Sequence, residues 1–157
     1  MWILLAIVVV VIVWLIVAFM RLRKSSRQRI ADLGALHTVF TVHASGLPIP
    51  AKIMTRIYAC EDKLIFESNK GNHEIPNERI IKYSASYRRH GALTGGSTSK
   101  KEYLIVHYMN RDGRLSAISF DCKGFRAELY VSQLTEVLSD FRRQRGLPDP
   151  NEDSHIL

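Results

Sequence analysis

Residues 2–20 form an uninterrupted run of nineteen side chains without a charge, a proline or a glycine, and basic residues follow it at once. As a helix rising about 1.5 Å per residue, the run covers about 28 Å, close to the ~30 Å hydrocarbon core of a bilayer. A helix at the surface of a soluble protein has a polar stripe, and this run has none. The sequence therefore predicts a transmembrane anchor over residues 1–22.

A cleavable signal peptide is the alternative interpretation of this run. Signal peptides begin with basic residues, continue with about 7–15 apolar residues and end in small side chains. Here no basic side chain comes first, the apolar run is longer, and it ends in Ala18-Phe19-Met20. These features favour an anchor that is retained.

The charges beside the anchor predict its orientation. The first nine residues after it contain five cations: Arg21, Arg23, Lys24, Arg27 and Arg29. Because basic flanks stay on the cytoplasmic side, we expect a single-pass inner (plasma) membrane protein with its N-terminus outside and the rest in the cytoplasm. Residues 23–34 then form a basic juxtamembrane connector, and the five cations are expected to contact anionic lipid.

The charge of the remaining chain is uneven. Residues 21–145 contain all 22 Lys and Arg but only 12 of the 15 acidic residues, a net charge of +10. A membrane surface accounts for such a charge, whereas nucleic-acid binding is not expected, because neither interleaved aromatics nor a recognition helix is evident. Residues 147–157 carry only acidic charge and are predicted to be a disordered tail.

From residue 35 onward the chain contains short runs in which the side chains alternate between two faces with a period of two residues. These runs predict antiparallel strands. Turn residues separate the runs, which cover residues 36–44, 51–60, 63–67, 73–76, 79–87, 103–109 and 114–120. Between residues 88 and 101 apolar side chains are too few to fold, so a mobile loop is predicted. From about residue 123 to 145 the period changes to three and four, which predicts a C-terminal helix that ends at Gly146. The predicted core is Phe40, Ile53, Ile57, Leu64, Phe66, Ile81, Leu104, Val106, Ile118, Leu134, Leu138 and Phe141.

Seven short strands followed by one helix resemble the PH-like and GRAM-like domains of bacterial proteins. Three stretches carry the resemblance in detail: Leu64-Ile65-Phe66, the Ile75-Pro76 step that leads to Ile80, and the pair Tyr103–Tyr108 and Ile118–Phe120. It covers residues 36–145. The resemblance implies an α+β fold over residues 35–146, in which a bent antiparallel barrel is capped by the C-terminal helix.

Two sets of cations are candidates for binding an anionic lipid headgroup or an acidic partner. Lys52 and Arg56 are predicted on one face of the second strand, but the preceding turn has no cation, so the phosphoinositide site of eukaryotic PH relatives does not carry over. The second set is Arg88, Arg89, Lys100 and Lys101. If Tyr87 and Glu102 are neighbours on paired strands, this set meets at one barrel rim. A solvated charged edge is the alternative.

No catalytic, metal or cofactor site is predicted. Cys60 and Cys122 have no metal-binding or redox spacing, and no motif accompanies His107 as a partner for a thiol. His37 and His43 lie about 20 Å apart on one strand and are expected to be exposed. We expect a membrane-anchored, non-enzymatic binding or scaffolding module. An anionic-lipid sensor and an accessory subunit of an inner-membrane complex, which would have a membrane-protein partner, are the alternatives.

Overall fold

A computed structural model of the protein describes residues 11–15, 28–90, 99–124 and 126–148. The chain divides into two compact units, Met1–Gly34 and Ala35–Leu157. In the first unit, residues 11–15 and 28–32 are helical. No helix in these described ranges is long and apolar enough to cross a membrane.

Most residues of the predicted anchor, and Arg21, Arg23, Lys24 and Arg27 beside it, lie outside the described residues. The anchor therefore stays a prediction. The same holds for the acidic tail, of which only residues 147 and 148 are described. Arg29 is the one juxtamembrane cation that is described, and it is exposed on the short helix over residues 28–32.

The second unit is built on one antiparallel sheet of seven strands. The strands are β1 (Ala35–Ser45), β2 (Met54–Cys60), β3 (Lys63–Ser68), β4 (Gly71–Pro76), β5 (Ile80–His90), β6 (Ser99–Met109) and β7 (Leu115–Asp121). Their spatial order is β4-β3-β2-β1-β7-β6-β5, so β4 and β5 are the edges. Helix α1 (Ala127–Gln144) follows and packs against the sheet. The predicted α+β class and element order are confirmed, and the topology is consistent with a PH-like domain.

Local hydrogen bonds explain the tight turns that the sequence predicted. In the β6–β7 turn, Asn110 Oδ1 accepts the backbone N–H groups of Asp112 and Arg114, each at 2.9 Å. Gly113 there has a φ of +71°, which L side chains rarely adopt. In the β3–β4 turn, Ser68 Oγ accepts the N–H of Lys70 at 3.2 Å. Antiparallel pairing of β3 with β4 and of β6 with β7 confirms that the turn residues between these predicted strands form tight reversals.

Helix α1 begins four residues later than predicted. Lys123 and Gly124 have φ angles of +43° and +85°, so neither belongs to a right-handed helix. The helix ends where the sequence predicts. The N–H of Leu147 donates to the carbonyl of Arg142 at 2.9 Å, and Gly146 has a φ of +65°. This is the Schellman pattern that a glycine after a helix favours.

One hydrophobic core joins the sheet to α1. Phe66 and Phe120 stack at its centre with ring centroids 5.4 Å apart, and Leu134 and Leu138 of α1 are almost fully buried in it. The structure confirms these predicted core residues: Ile57, Leu64, Phe66, Leu104, Val106, Ile118, Leu134, Leu138 and Phe141.

The prediction for Phe40 is wrong, because β1 turns its other face to the core. Phe40 is 48% exposed, whereas Val39, Thr41 and His43 are buried. Thr41 Oγ1 donates to the carbonyl of Thr55 at 3.3 Å, so its hydroxyl is satisfied inside the domain. Phe40 instead lies under the guanidinium of Arg56, 4.4 Å from ring centroid to Cζ.

Ile53 and Ile81 are only half-buried, against prediction. Ile53 precedes β2, and its carbonyl accepts the N–H of His43 at 2.8 Å. At Ile81 the register of β5 shifts, since Ile80 pairs with Tyr108 whereas Lys82 pairs with His107. This bulge lets Ile80 face the core in place of Ile81.

Candidate functional site

Strands β5 and β6 continue into the segment predicted as a mobile loop. Their pairing extends to His90 opposite Ser99, so the loop prediction is wrong at both ends, and its centre, residues 91–98, lies outside the described residues. Pairing of β6 with β7 ends where Tyr103 meets Asp121. Residues 87–90 and 99–102 therefore form a two-stranded projection, which we call the hairpin extension.

The register of the hairpin extension places the predicted basic positions opposite each other in two successive pairs. Tyr87 pairs with Glu102, as the predicted rim required, and the next pairs are Arg88 with Lys101 and Arg89 with Lys100. The side chains of Arg88 and Lys101 are both exposed. For Arg89 and Lys100 only the backbone positions are described.

The pairing of Arg88 with Lys101 is unfavourable for folding. Residues directly opposite each other on antiparallel strands have Cβ atoms about 4.5–5.5 Å apart, and like charges at such positions destabilise the pair. A two-stranded ribbon is itself only marginally stable in water. An anion beside Arg88 and Lys101 offsets this repulsion, so the arrangement suits the binding of a negatively charged group.

Two hydrogen bonds fasten the base of the hairpin extension to α1. The carboxylate of Glu102 accepts the N–H of Ala127, the first helical residue, at 3.0 Å, and Tyr87 donates its hydroxyl to the carboxylate of Glu128. That hydrogen bond, together with burial, raises the pKa of Tyr87 to about 12, so the phenol stays a donor at neutral pH. The exposed side chains of Arg88 and Lys101 are therefore carried beside an anchored base.

The sequence did not indicate these roles for Glu102 and Glu128. One signal was present: α1 is preceded by Arg126, which makes no side-chain capping bond. The first N–H groups of a helix without Ser, Thr, Asp or Asn at its N-cap are satisfied by other groups or by water, and here Glu102 supplies one acceptor.

Lys52 and Arg56 do not share a strand face, so that prediction is wrong. Lys52 lies in the turn before β2, with a φ of +68° and an exposed side chain. Arg56 lies on the outer face of β2, where its Nη1 donates to the Tyr58 hydroxyl at 3.1 Å. Tyr58 in turn donates to Glu67 at 2.7 Å. Arg56 is half-buried, and its guanidinium contacts neighbouring residues of the same sheet.

The histidines are placed differently from expectation. His43 is only 2% exposed. Its Nδ1 lies 3.1 Å from the carbonyl of Pro50, and its Nε2 accepts the N–H of Leu47 at 3.1 Å. These contacts require a neutral ring with the proton on Nδ1, and they hold the loop between β1 and β2. The prediction that His43 is exposed is wrong, and His37 is half-buried.

Neither cysteine forms a disulfide, and both are buried. Burial raises the pKa of the Cys122 thiol to about 11, and burial also raises the pKa of Cys60. His107 Nε2 lies 2.9 Å from Ser84 Oγ rather than beside a thiol. Burial, with the nearby charge of Lys82, lowers the pKa of His107. Across the part of the chain that the structure describes, no three His, Cys, Asp or Glu side chains are arranged to hold a metal.

A groove of about 580 Å³ lies between strand β5 and helix α1. Its lining residues are Ala85, Glu128, Val131, Ser132, Thr135, Glu136 and Ser139. No sequence pattern indicated this groove, because it exists only where two elements more than 35 residues apart in the sequence come together.

Comparisons with known proteins do not assign the chain to a family. It matches no protein-family model, and no curated protein matches it at a significant level. The indications of its function therefore come from the sequence and from the geometry above.

Proposed function

We propose that this chain is a bacterial single-pass inner-membrane protein that presents a PH-like domain to the cytoplasm as a non-enzymatic binding or scaffolding module. The apolar run over residues 2–20 and the five cations after it support the anchor and its orientation. The seven-stranded antiparallel sheet with α1 packed against it supports a PH-like bent barrel capped by its helix.

The exposed pair of Arg88 and Lys101 is the observation that favours binding. Two like charges at directly opposed positions lower the stability of the folded strand pair. Arg88 and Lys101 are such a pair, and they lie on a projection whose base is hydrogen bonded to α1. Anionic lipid headgroups at the cytoplasmic leaflet are suitable ligands for such a pair. Since the anchor already holds the domain at the surface, this contact orients the domain, and even millimolar affinity suffices at that local concentration.

The hairpin extension is expected to bind acidic vesicles in a salt-dependent manner. The test uses flotation of a fragment of residues 30–157, which contains the whole core but not Arg21–Arg29, with vesicles of phosphatidylglycerol and phosphatidylcholine. Weak binding is expected near 0.1 M salt and loss of binding at 1 M, because the Debye length falls from about 10 Å to about 3 Å. Changing Arg88, Arg89, Lys100 and Lys101 together to alanine should remove most of the binding.

A matched variant separates this site from net charge. It replaces four exposed cations outside the extension by alanine: Lys70, Arg79, Arg111 and Arg114. This variant loses the same charge and should keep at least half of the binding. Equal losses in both variants, or no binding by the parent fragment, would reject lipid contact through the extension and leave a protein-binding scaffold.

A further inference from the structure

A smaller cavity, of about 230 Å³, lies between the loop after β1, strand β4 and the β6–β7 turn, and we call it the β4 pocket. Apolar side chains form much of its wall, among them Leu47, Ile75, Tyr108 and Met109. Ile75 is buried, Leu47 and Tyr108 are half-buried, and Met109 is 39% exposed. The volume lies below the range of about 300–1,000 Å³ that drug-sized ligands occupy. The β4 pocket therefore suits one or two aliphatic side chains.

Two arginines of the β4 pocket are available to an acidic group. Arg79 and Arg111 both line it, and both are exposed. In the part of the chain that the structure describes, no hydrogen bond or ion pair engages either guanidinium. Glu74 is the acidic residue of the lining, and it already pairs with Lys63 at 2.9 Å. A carboxylate brought by another segment therefore complements the two arginines.

The chain leaves helix α1 close to one wall of the β4 pocket. Arg142 Nη1 donates to the carbonyl of Pro148 at 3.2 Å. Its Nη2 donates to the carbonyl of Ile80 at 2.7 Å. Ile80 directly follows Arg79, which lines the pocket, so one guanidinium joins the last described residue to this wall. The residues after Pro148 therefore begin beside the pocket.

Residues 149–157, which we call the C-terminal segment, carry the complementary groups. The segment has three acidic residues, Asp149, Glu152 and Asp153, no Lys or Arg, and the apolar pair Ile156-Leu157. Nine residues span up to about 30 Å when extended. Asp153 precedes the apolar pair by three residues, about 10 Å of extended chain. Carboxylates and aliphatic side chains of the segment can therefore reach the β4 pocket together.

We propose that the C-terminal segment folds back onto its own domain, with Ile156-Leu157 inside the β4 pocket and its carboxylates against Arg79 and Arg111. A segment too polar to fold alone orders through such a contact. Its attachment to α1 gives it an effective concentration in the millimolar range, so a weak contact is populated. A partner with the same chemistry must displace the segment before it can bind. This inference goes beyond the proposed membrane contact and does not depend on it.

The test uses the full chain in nanodiscs of neutral lipid, one chain per disc, with isotope-labelled methionine methyl groups. A nitroxide is attached to the C-terminal segment through Ser154→Cys. It should strongly broaden the methyl signal of Met109, which lines the β4 pocket, and leave that of Met54 nearly unchanged. The parent chain taken through the same labelling is the control, because its Cys60 and Cys122 are buried.

Substitutions in the C-terminal segment test the contact without touching the core. Ile156→Ser together with Leu157→Ser should lower the ratio of docked to free segment at least tenfold, because the aliphatic burial is lost. Glu152→Gln together with Asp153→Asn should lower this ratio about threefold to tenfold. An unchanged ratio in the serine variant would overturn the proposal.

A pair of matched variants tests the arginines. Arg79→Ala with Arg111→Ala should lower the ratio about threefold to tenfold. Lys70→Ala with Arg126→Ala removes the same charge from exposed positions outside the pocket lining and should leave the ratio unchanged. Equal effects of the two variants, equal broadening of both methionine signals, or no broadening at Met109 would overturn the proposal. Vesicle binding by the hairpin extension is measured separately, so either proposal can fail alone.

Discussion

Replacing Leu138 by alanine is expected to lower the free energy of unfolding of the domain by about 2–5 kcal/mol. Leu138 is 1% exposed in the core between α1 and the sheet. The substitution removes three buried carbons, and the close packing around them prevents full collapse of the resulting cavity. Because α1 reaches the sheet through few such side chains, the loss affects the docking of the whole helix.

Urea unfolding of the 30–157 fragment, followed by circular dichroism, measures this loss. Leu129→Ala is the matched control, because Leu129 lies on the same helix and is 54% exposed. The control should change the free energy of unfolding by less than about 0.5 kcal/mol. A loss below about 0.5 kcal/mol for Leu138→Ala would show that α1 is not docked as described.

Gly46→Ala is the second substitution with a large expected effect, about 2–5 kcal/mol of lost stability. Gly46 follows β1 with a φ of +96°, where a side chain is strained. A Cβ atom there would also lie 2.3 Å from the carbonyl oxygen of Ala117 and 2.8 Å from the Cα atom of Ile118. Both contacts are with the backbone of β7, so relief requires movement of a strand.

Gly124→Ala separates the two contributions. Gly124 has a similar φ of +85°, but a Cβ atom added there would have no neighbouring atom within 4 Å. Its substitution should therefore show only the backbone strain, about 1–2 kcal/mol, and Gly46→Ala should cost measurably more in the same urea titration. Equal losses of unfolding free energy would mean that the backbone of β7 moves at Ala117 at little cost.

The element order could be predicted because the local signals agree. Period two, tight-turn residues and the later change to period three and four all point to the same succession of strands and one helix. Which face of β1 points to the core could not be predicted, because the inward face carries two polar residues, Thr41 and His43. Their polar groups are satisfied by Thr55 of β2 and by Pro50 and Leu47 of the β1–β2 loop, partners that only the folded domain provides.

The candidate sites also differ in how far local sequence could predict them. The sequence could predict that Arg88 meets Lys101 only on the condition that Tyr87 pairs with Glu102, and the hairpin between neighbouring strands meets that condition. The bulge at Ile81 and the groove beside α1 depend on long-range packing, and no local pattern marks them. Lys52 was misplaced because the chain adopts a left-handed turn before β2 begins.

Membrane topology tests the central claim most directly, because the proposed binding function requires the domain to be held at the cytoplasmic face. The full chain, with a C-terminal epitope, is produced in bacterial cells. One sample of the cell membranes is extracted with carbonate, and protease is added to inverted vesicles and to intact spheroplasts. We expect the chain to stay in the membrane after carbonate, and the domain to be digested in inverted vesicles but protected in intact spheroplasts. Digestion in spheroplasts, release by carbonate, or a mature N-terminus near Arg21 would contradict the account.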